Sequence, residues 1–519
     1  LVACVGTWSH LASEAPVIAS DGVRYVQMAR EWSDAPLRVI REEEYHVGYP
    51  VVISWAHAAI DTMGLADGPA SWDLAGRAVS MTAGAATVTA VWLLGGLIVS
   101  WRAAWIGAMV FGLGQNWSHV AADVVSDGLA VCFQAWGAVL LLLAARRLGD
   151  RRRGGLLLAG GMGILAGLGY LVRPEALLLC GLAAVVWVAQ TRDQQGGWKR
   201  TAGAVALAGG CAIAAASPYM IAIGGISKKK RIGELFSAAG AGPHLQTLAL
   251  APLDLGVAIY QLSGEFMEAI HPIGLSLVSI WLLTWIGWRC LGLKLPESVR
   301  LGPTRIGGWL IVSAAVAICT MLVALHLHAG YISSRHLMFL VVLLSPLAGA
   351  GACVLAVWLS SLLKSTLLAG PARWLALPLV ALGLAGGLLA HTLEPLHEGK
   401  QPHRRAARYV AQRAADGDIV ATDSPWVIHY GGWHQPRADY LRIPPALPNL
   451  ARQRVHDGPA DYLVLSDEAT HLLQPLGAGD TGLRFQHLET LSARDAAPED
   501  RVHVYAVRPA IPATRPDGP

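Results

Sequence analysis

The chain has 519 residues, of which 54% are hydrophobic and only 15% are charged, whereas soluble domains average about 25% charged residues. The net charge of +4 is small and scattered along the chain, so it does not indicate nucleic-acid binding. The seven cysteines lie in or beside hydrophobic segments and have neither metal-site nor disulfide-framework spacing. These features exclude an ordinary soluble or disulfide-rich secreted domain and indicate a polytopic membrane protein.

Long apolar runs such as Ala78–Val99 and Leu337–Leu359 predict membrane helices. About 20 apolar residues cross a bilayer core ~30 Å thick, and in lipid the backbone must satisfy its own hydrogen bonds. Glycines inside these runs favour close helix packing over a phosphate-binding loop. We predict an all-α membrane domain of about 11 transmembrane helices. Their expected bounds are 1–18, 76–99, 103–115 (short, one half of a bent pair), 124–145, 154–172, 175–190, 201–224, 272–293, 307–327, 336–360 and 372–391.

Charged residues in the connecting loops predict the orientation of these helices. One set of loops is rich in Arg and Lys, including Arg151–Arg153 and Lys199–Arg200, which predicts a cytoplasmic side. The opposite side then holds a long loop at 20–75, and we predict a multi-pass protein of the cytoplasmic (inner) membrane. Lys228–Arg231 also lies on that outer side, although Lys and Arg are usually enriched on the cytoplasmic side. Either the predicted number of helices is wrong by one, or these cations bind a ligand.

The segment SDGVRYVQMAREWSDAPLRVIREEEYHVGYP, residues 20–50, is polar, acidic and aromatic, and far longer than a simple connection needs. Its start predicts a helix capped by Ser20 or Asp21. A carboxylate at a membrane boundary is also a candidate general base, so Asp21 is a cap, a catalyst or both. The run Glu42–Glu44 favours a solvated face, and His46 is a candidate substrate or metal ligand.

Further ionisable residues fall at the outer ends of the predicted helices. Asp123 is a candidate second acid on the same side as Asp21, and Asp127 is a candidate to support the first turn of its helix. Arg173 suits either phosphate binding or a salt bridge at a helix corner, with Glu175 as one partner. The candidate phosphate-binding residues are Arg173, Arg335, Lys228, Lys229 and Lys230, and the candidate substrate-binding residues are Tyr25, His46, Tyr49 and Tyr331.

The last part of the chain has no long apolar run. ARYVAQRAADGDIVATDS predicts a helix, a turn and a strand, and ADYLVLSD and RVHVYAVR predict further strands. We therefore predict a membrane domain at 1–392, a small soluble extracytoplasmic α/β domain at 393–510, and a Pro-rich disordered tail at 511–519.

The ordered segments of the chain resemble the GT-C glycosyltransferases, specifically the group with protein O-mannosyltransferases and lipid A aminoarabinose transferases (family 39-like). The resemblance covers about residues 15–390 and depends on the order of the segments. These are SDGVRYVQMA, HVGYPVVISWA, GRAVSMTAGAATVTAVWLLG, AADVVSDGL, GILAGLGYLVRPEALLL, SPYMIAI and GYISSRHLMFLVVLLSPLAGAG.

The resemblance implies a membrane glycosyltransferase, a hexosyl or pentosyl transferase, that moves a sugar from a polyprenyl-phosphate donor to an extracytoplasmic protein, lipid or glycan with inversion. It implies that Asp21 is the catalytic acid, Asp123 a second acid, and Arg173 and Arg335 binders of the lipid phosphate. Gly22 stands where many relatives carry a second acid, which leaves a divalent metal requirement open. A lipid-linked sugar transporter or flippase and a non-catalytic envelope scaffold are the alternatives.

Overall fold

The computed structural model describes residues 1–66, 68–150, 154–191, 197–228, 252–291, 303–329, 332–363, 372–434, 437–443, 460–473, 483–492 and 501–509. The chain divides into two compact units. The first unit comprises Leu1–His10, Met28–Ala56 and Gly76–Glu394, and the second comprises Leu11–Gln27, His57–Ala75 and Pro395–Pro519. The tail predicted to be disordered, 511–519, lies outside the described residues.

Four helices occupy the N-terminal region, where the sequence predicts one membrane helix and a long loop. The predicted helix after Ser20 is confirmed, and the stretch after Gly48 is also helical. The segment at 20–75 is therefore mostly ordered helix rather than an extended loop. The bounds are α1 Val2–Glu14, α2 Ser20–Asp34, α3 Pro36–Glu42 and α4 Gly48–Thr62.

The long apolar helices follow the predicted bounds closely, and the predicted all-α membrane architecture is confirmed. Within the described residues, nine helices are long and apolar enough to cross a membrane. The helices are α5 Gly68–Ile98, α6 Trp101–Gly112, α7 Gln115–Ala122, α8 Ser126–Gly149, α9 Gly154–Val172, α10 Leu178–Thr191, α11 Trp198–Ile223, α12 Pro252–Ile270, α13 Pro272–Leu291, α14 Arg305–Ala329, α15 Met338–Leu363 and α16 Ala372–Thr392.

One of the predicted membrane helices, α6, is too short to span. It has 12 residues, so at 1.5 Å per residue it rises less than about 20 Å, short of a bilayer core ~30 Å thick. α6 ends at Gly112 and α7 begins at Gln115, which is the bent pair that the sequence predicts.

Glycines allow α9 to pack directly against α11. A side chain at Gly163 would collide with the backbone carbonyl of Ala208, and a Cβ at Gly167 would lie 2.5 Å from the carbonyl oxygen of Ala212. Small residues four apart permit this approach of two helices in a membrane. The packing role predicted for the glycines therefore holds at both positions.

The second unit contains a sheet of five strands within the described residues, in the order β2-β1-β3-β5-β4. The first three are parallel, and β5 pairs antiparallel with both β3 and β4. The predicted strands β1, β3 and β5 and the predicted helix α17 are confirmed, whereas β2, β4 and α18 are not in the sequence prediction. The bounds are α17 Gln401–Ala411, β1 Ile419–Thr422, α18 Pro425–His434, β2 Asp439–Arg442, β3 Tyr462–Ser466, β4 Leu483–Leu491 and β5 Val502–Pro509.

Candidate functional site

Arg173 lies at the corner between α9 and α10. Its backbone is extended, with φ −151° and ψ 134°, because the residue before a proline is pushed away from the helical region. Its Nη1 donates a hydrogen bond to Oδ1 of Asp127 in the first turn of α8, and the two groups form an ion pair. Asp127 is only 3% exposed. Arg173 thus pairs with Asp127, whereas Glu175, the partner considered from the sequence, contacts His336 and interacts with Arg173 through its charge.

Glu175 pairs with the helix turn that precedes α15. Its Oε1 lies 3.5 Å from Nδ1 of His336, and the positive charge of Arg173 also acts on it. The four side chains of Asp127, Arg173, Glu175 and His336, here called the Arg173 cluster, join the ends of α8, α9, α10 and α15. A guanidinium has five donors in a planar fork, so one arginine side chain can contact more than one acceptor.

Arg335 precedes His336 in the same helix turn, Ser334–Leu337, and its side chain is exposed. Two glutamates of α12 hold this turn. Glu265 Oε2 accepts a hydrogen bond from the Ser334 backbone amide at 2.5 Å, and Glu268 Oε1 accepts one from the Ser334 hydroxyl at 3.0 Å. Sequence reasoning missed both glutamates, although their spacing of three residues on an apolar helix is a usable signal. The Glu175–His336 contact therefore joins the corner that carries Arg173 to the helix turn that carries Arg335.

A buried aromatic group lies at the ends of α9 and α11. The His46 ring is 5.2 Å from the rings of both Tyr170 and Tyr219, and it meets Tyr170 edge-on. The Tyr170 hydroxyl donates to the carbonyl of Ile226 at 2.5 Å. His46 is 6% exposed, so its ring forms part of a packed aromatic cluster. Sequence reasoning missed Tyr170 and Tyr219, which sit within apolar runs.

Tyr49 is fully buried, and its hydroxyl lies 2.8 Å from the Ser80 hydroxyl while donating to the Gly76 carbonyl at 3.2 Å. Gly48 brings this part of α4 against α9, since a Cβ there would lie 2.7 Å from the backbone of Leu171. Gly48 therefore permits a close approach of α4 to the end of α9, next to Arg173.

Lys228 lies just after α11 and interacts electrostatically with Glu43 and Glu42. Burial lowers the pKa of the Lys228 ammonium below its usual value, and the two carboxylates partly offset that effect. Glu43 is 8% exposed, whereas Glu42 and Glu44 are exposed. The prediction that Glu42–Glu44 forms a solvated face is therefore wrong at Glu43.

Three further candidate residues lie outside the described residues: Lys229, Lys230 and Tyr331.

Asp123 ends α7 and is 6% exposed, and its Oδ1 accepts a hydrogen bond from the Val124 amide at 2.7 Å. Asp21 lies in the first turn of α2 and is half-buried, and Tyr25, one turn later, is 7% exposed. Asp123 belongs to the first unit, and Asp21 and Tyr25 belong to the second. The described residues contain no group of three His, Cys, Asp or Glu side chains arranged to hold a metal ion.

Neither a protein-family model nor a curated protein sequence matches the chain. The structure is similar to that of ArnT from Cupriavidus metallidurans bound to undecaprenyl phosphate, with a TM-score of 0.56 and 15% identity over 99% of this chain and 97% of that one. It is also similar to the oligosaccharyltransferase AglB from Archaeoglobus fulgidus in complex with an inhibitory peptide and a dolichol-phosphate, with a TM-score of 0.53 and 11% identity over 90% of this chain and 69% of that one.

These similarities define the class of fold. The chain is a multi-pass membrane protein with a GT-C-like fold, as the ordered sequence segments predict. The ArnT likeness covers nearly the full length of both chains, so it is not limited to the apolar helices.

Proposed function

We propose that the protein is a glycosyltransferase of the cytoplasmic membrane that moves a sugar from a polyprenyl-phosphate donor to an extracytoplasmic acceptor. The observation that carries this proposal is that the Glu175–His336 contact joins the corner that carries Arg173 to the turn that carries Arg335, at the ends of apolar helices. A lipid-linked donor has its phosphate at such a boundary and its tail among the helices. Both similar structures described above contain a polyprenyl phosphate, which supports this class of donor.

In the proposed reaction an acceptor hydroxyl or amine attacks the anomeric carbon of the sugar. The bond from that carbon to the phosphate oxygen breaks, and polyprenyl phosphate leaves with the electron pair. A carboxylate, for which we propose Asp21 with Asp123 as the second acid, takes the acceptor proton. Arg173, Arg335 and Lys228, with Lys229 and Lys230, stabilise the negative charge on the leaving phosphate. A single displacement of this kind inverts the anomeric configuration.

The proposed substrate contacts differ in how they are placed. Tyr25 and His46 are aromatic side chains of the kind that pack on sugar rings, but each is largely buried. The Tyr49 hydroxyl is already hydrogen-bonded inside the first unit, so we assign it a supporting role near the substrate. We further propose that the membrane part extends to about residue 392 and that the domain after it lies outside the cytoplasm.

The test is transfer from polyprenyl-phosphate sugars by the purified protein in lipid nanodiscs, with products identified by mass spectrometry. Asp21→Asn should reduce transfer at least 100-fold, within the range for loss of a general base. Asp34→Asn, at the exposed other end of α2, is the matched control and should retain activity. Full activity of Asp21→Asn would refute the role of Asp21, and movement of the lipid-linked sugar across the membrane of proteoliposomes without transfer would indicate a flippase instead.

A further inference from the structure

One helix of the C-terminal domain holds both backbone groups of Ile18. The indole Nε1 of Trp426 donates to the Ile18 carbonyl at 2.7 Å, and the Tyr430 hydroxyl accepts from the Ile18 amide at 3.3 Å. Trp426 and Tyr430 lie one turn apart on α18 and so share a face. Residues 16–18 belong to no helix or strand, and backbone groups in such a segment need partners from outside it. Here α18 supplies both.

The residues before Ile18 are held by the same domain. Nη1 of Arg404 in α17 donates to the Pro16 carbonyl at 2.6 Å, and the guanidinium lies 5.0 Å from the centre of the Tyr430 ring. Val17 is fully buried in a cluster with Ala407 and Tyr430. Pro16–Ile18 is therefore fixed by apolar burial as well as by three side-chain hydrogen bonds.

Tyr430 also joins this segment to a second one. Its hydroxyl donates to Oδ2 of Asp73 at 3.3 Å, and His429 Nε2 lies 3.2 Å from Oδ1 of the same carboxylate. The side chain of His429 is 1% exposed, so this contact is inside the unit. One hydroxyl thus bridges the Ile18 amide and the Asp73 carboxylate, and α18 connects two segments that are more than 50 residues apart in sequence.

The segment held by α18 leads directly into the helix that carries Asp21. α2 begins at Ser20, so Asp21 is three residues after Ile18. We propose that Trp426 and Tyr430 are positioning residues for Asp21: by fixing Ile18, the C-terminal domain fixes the first turn of α2 and with it the carboxylate. The proposal rests on the catalytic role proposed for Asp21. A displacement of about 1 Å of a catalytic group can reduce a rate by as much as 100-fold.

The test uses Tyr430→Phe in the full-length protein, with Trp426→Phe as a second variant. The matched control is Tyr462→Phe, which removes a hydroxyl that donates to the Arg413 carbonyl at 3.1 Å elsewhere in the same domain. Hydrogen exchange should become about five- to tenfold faster for the amides of Ile18 to Tyr25 in both test variants, the effect of one lost hydrogen bond. Exchange in β1 and β3, which reads out folding of the domain, should stay unchanged.

Turnover provides the second readout. Tyr430→Phe should lower kcat about tenfold or more with little change in KM for the lipid donor, because a misplaced base weakens the chemical step and not donor binding. Tyr462→Phe should leave both constants unchanged.

If hydrogen exchange of α2 is unchanged in both test variants, α18 does not anchor the segment before α2. If exchange is faster but kcat is unchanged, Trp426 and Tyr430 do not position Asp21 for catalysis. If Asp21→Asn is fully active, or if no sugar is transferred at all, the proposed function fails and the positioning fails with it. Faster exchange of α2 still distinguishes that result from a failure of the anchor.

Discussion

Asp127 and Arg173 form an ion pair although they are 46 residues apart in sequence. Asp127 stands in the first turn of α8, where the helix dipole favours a negative charge, and Arg173 follows the last residue of α9. The pair brings the ends of these two helices together. We therefore assign Arg173 two separable roles, a structural one through Asp127 and a proposed one in phosphate binding.

Substitution at the two ends of this pair separates those roles. Asp127→Asn should destabilise the protein by about 3 kcal/mol, because removing one partner of a largely buried pair leaves the other charge uncompensated. The affinity of the Asp127→Asn variant for undecaprenyl phosphate should stay the same or rise, because Arg173 is no longer held by the ion pair. Arg173→Gln should lower both the stability of the protein and its affinity for undecaprenyl phosphate. Thermal unfolding in detergent measures stability, and native mass spectrometry measures lipid binding.

Arg173→Lys provides the control for charge alone. A lysine keeps the positive charge but lacks the planar fork of donors, so we expect intermediate lipid affinity. Equal loss of lipid affinity in Asp127→Asn and Arg173→Gln would contradict the phosphate-binding role and leave a purely structural salt bridge.

Packing of α9 on α11 predicts an effect at Gly167. Gly167→Ala should destabilise the protein by about 1–3 kcal/mol, the usual cost of overpacking, because the new Cβ would lie 2.5 Å from the Ala212 carbonyl oxygen and 2.6 Å from the Ala215 Cβ. Gly209→Ala in α11 is the control, since a Cβ there has no atom of the described residues within 4 Å. Equal melting temperatures for the two variants would refute the close packing.

Asp423 predicts a pH dependence in the C-terminal domain. Burial raises the pKa of this carboxyl above its ordinary 3.8, although hydrogen bonds from the Ser466 amide and hydroxyl oppose the shift. Between the two pKa values the folded state binds more protons than the unfolded state, so stability falls as pH rises from about 4 through the folded-state pKa and is then constant.

Hydrogen exchange of β1 and β3 in the full-length protein, corrected for the intrinsic pH effect, measures this dependence. Asp423→Asn keeps an oxygen that accepts a hydrogen bond from the Ser466 amide but removes the titratable carboxyl group. The hydrogen-exchange protection of β1 and β3 in this variant should therefore no longer show the pH dependence that comes from Asp423. Asp439→Asn, at the exposed start of β2, is the control and should behave like the unsubstituted protein. Protection that rises with pH only when Asp423 is present would contradict the direction of the shift.

The sequence predicts the helices well because membrane spans are defined by length and apolar content. The predicted bounds 154–172 match α9, Gly154–Val172. Prediction fails where a strand is too short to show a pattern. β2, for example, has four residues with a charge at each end.

The candidate site is less predictable because partner choice depends on which helix ends meet. Arg173 stands out in an apolar context, but Glu175 is its nearest acid in sequence and Asp127 is the one it pairs with. Similarly, nothing in the spacing of Glu42–Glu44 indicates which carboxylate is buried. The buried one, Glu43, interacts electrostatically with Lys228, which follows α11.

The interaction of buried Glu43 with Lys228 gives a prediction, and the adjacent residue Glu44 provides its control. Lys228 Nζ is buried and has no hydrogen-bond partner among the described residues, so the negative charge of Glu43 is a main compensation for its desolvation. Glu43→Gln should lower the free energy of unfolding by about 1–2 kcal/mol, the scale for a buried charge that loses part of its compensation. Glu44→Gln, which is exposed, should change it by less than about 0.5 kcal/mol.

Lys228→Met distinguishes loss of the pair from loss of the Glu43 carboxylate itself. If the two groups act as a pair, the double variant Glu43→Gln with Lys228→Met should be more stable than the sum of the single effects predicts. The same variants should differ in lipid binding. Lys228→Met should lower the affinity of the protein for undecaprenyl phosphate, and Glu43→Gln should leave it unchanged. Strictly additive stabilities would show that Glu43 and Lys228 do not interact, and the buried carboxylate would then need another partner.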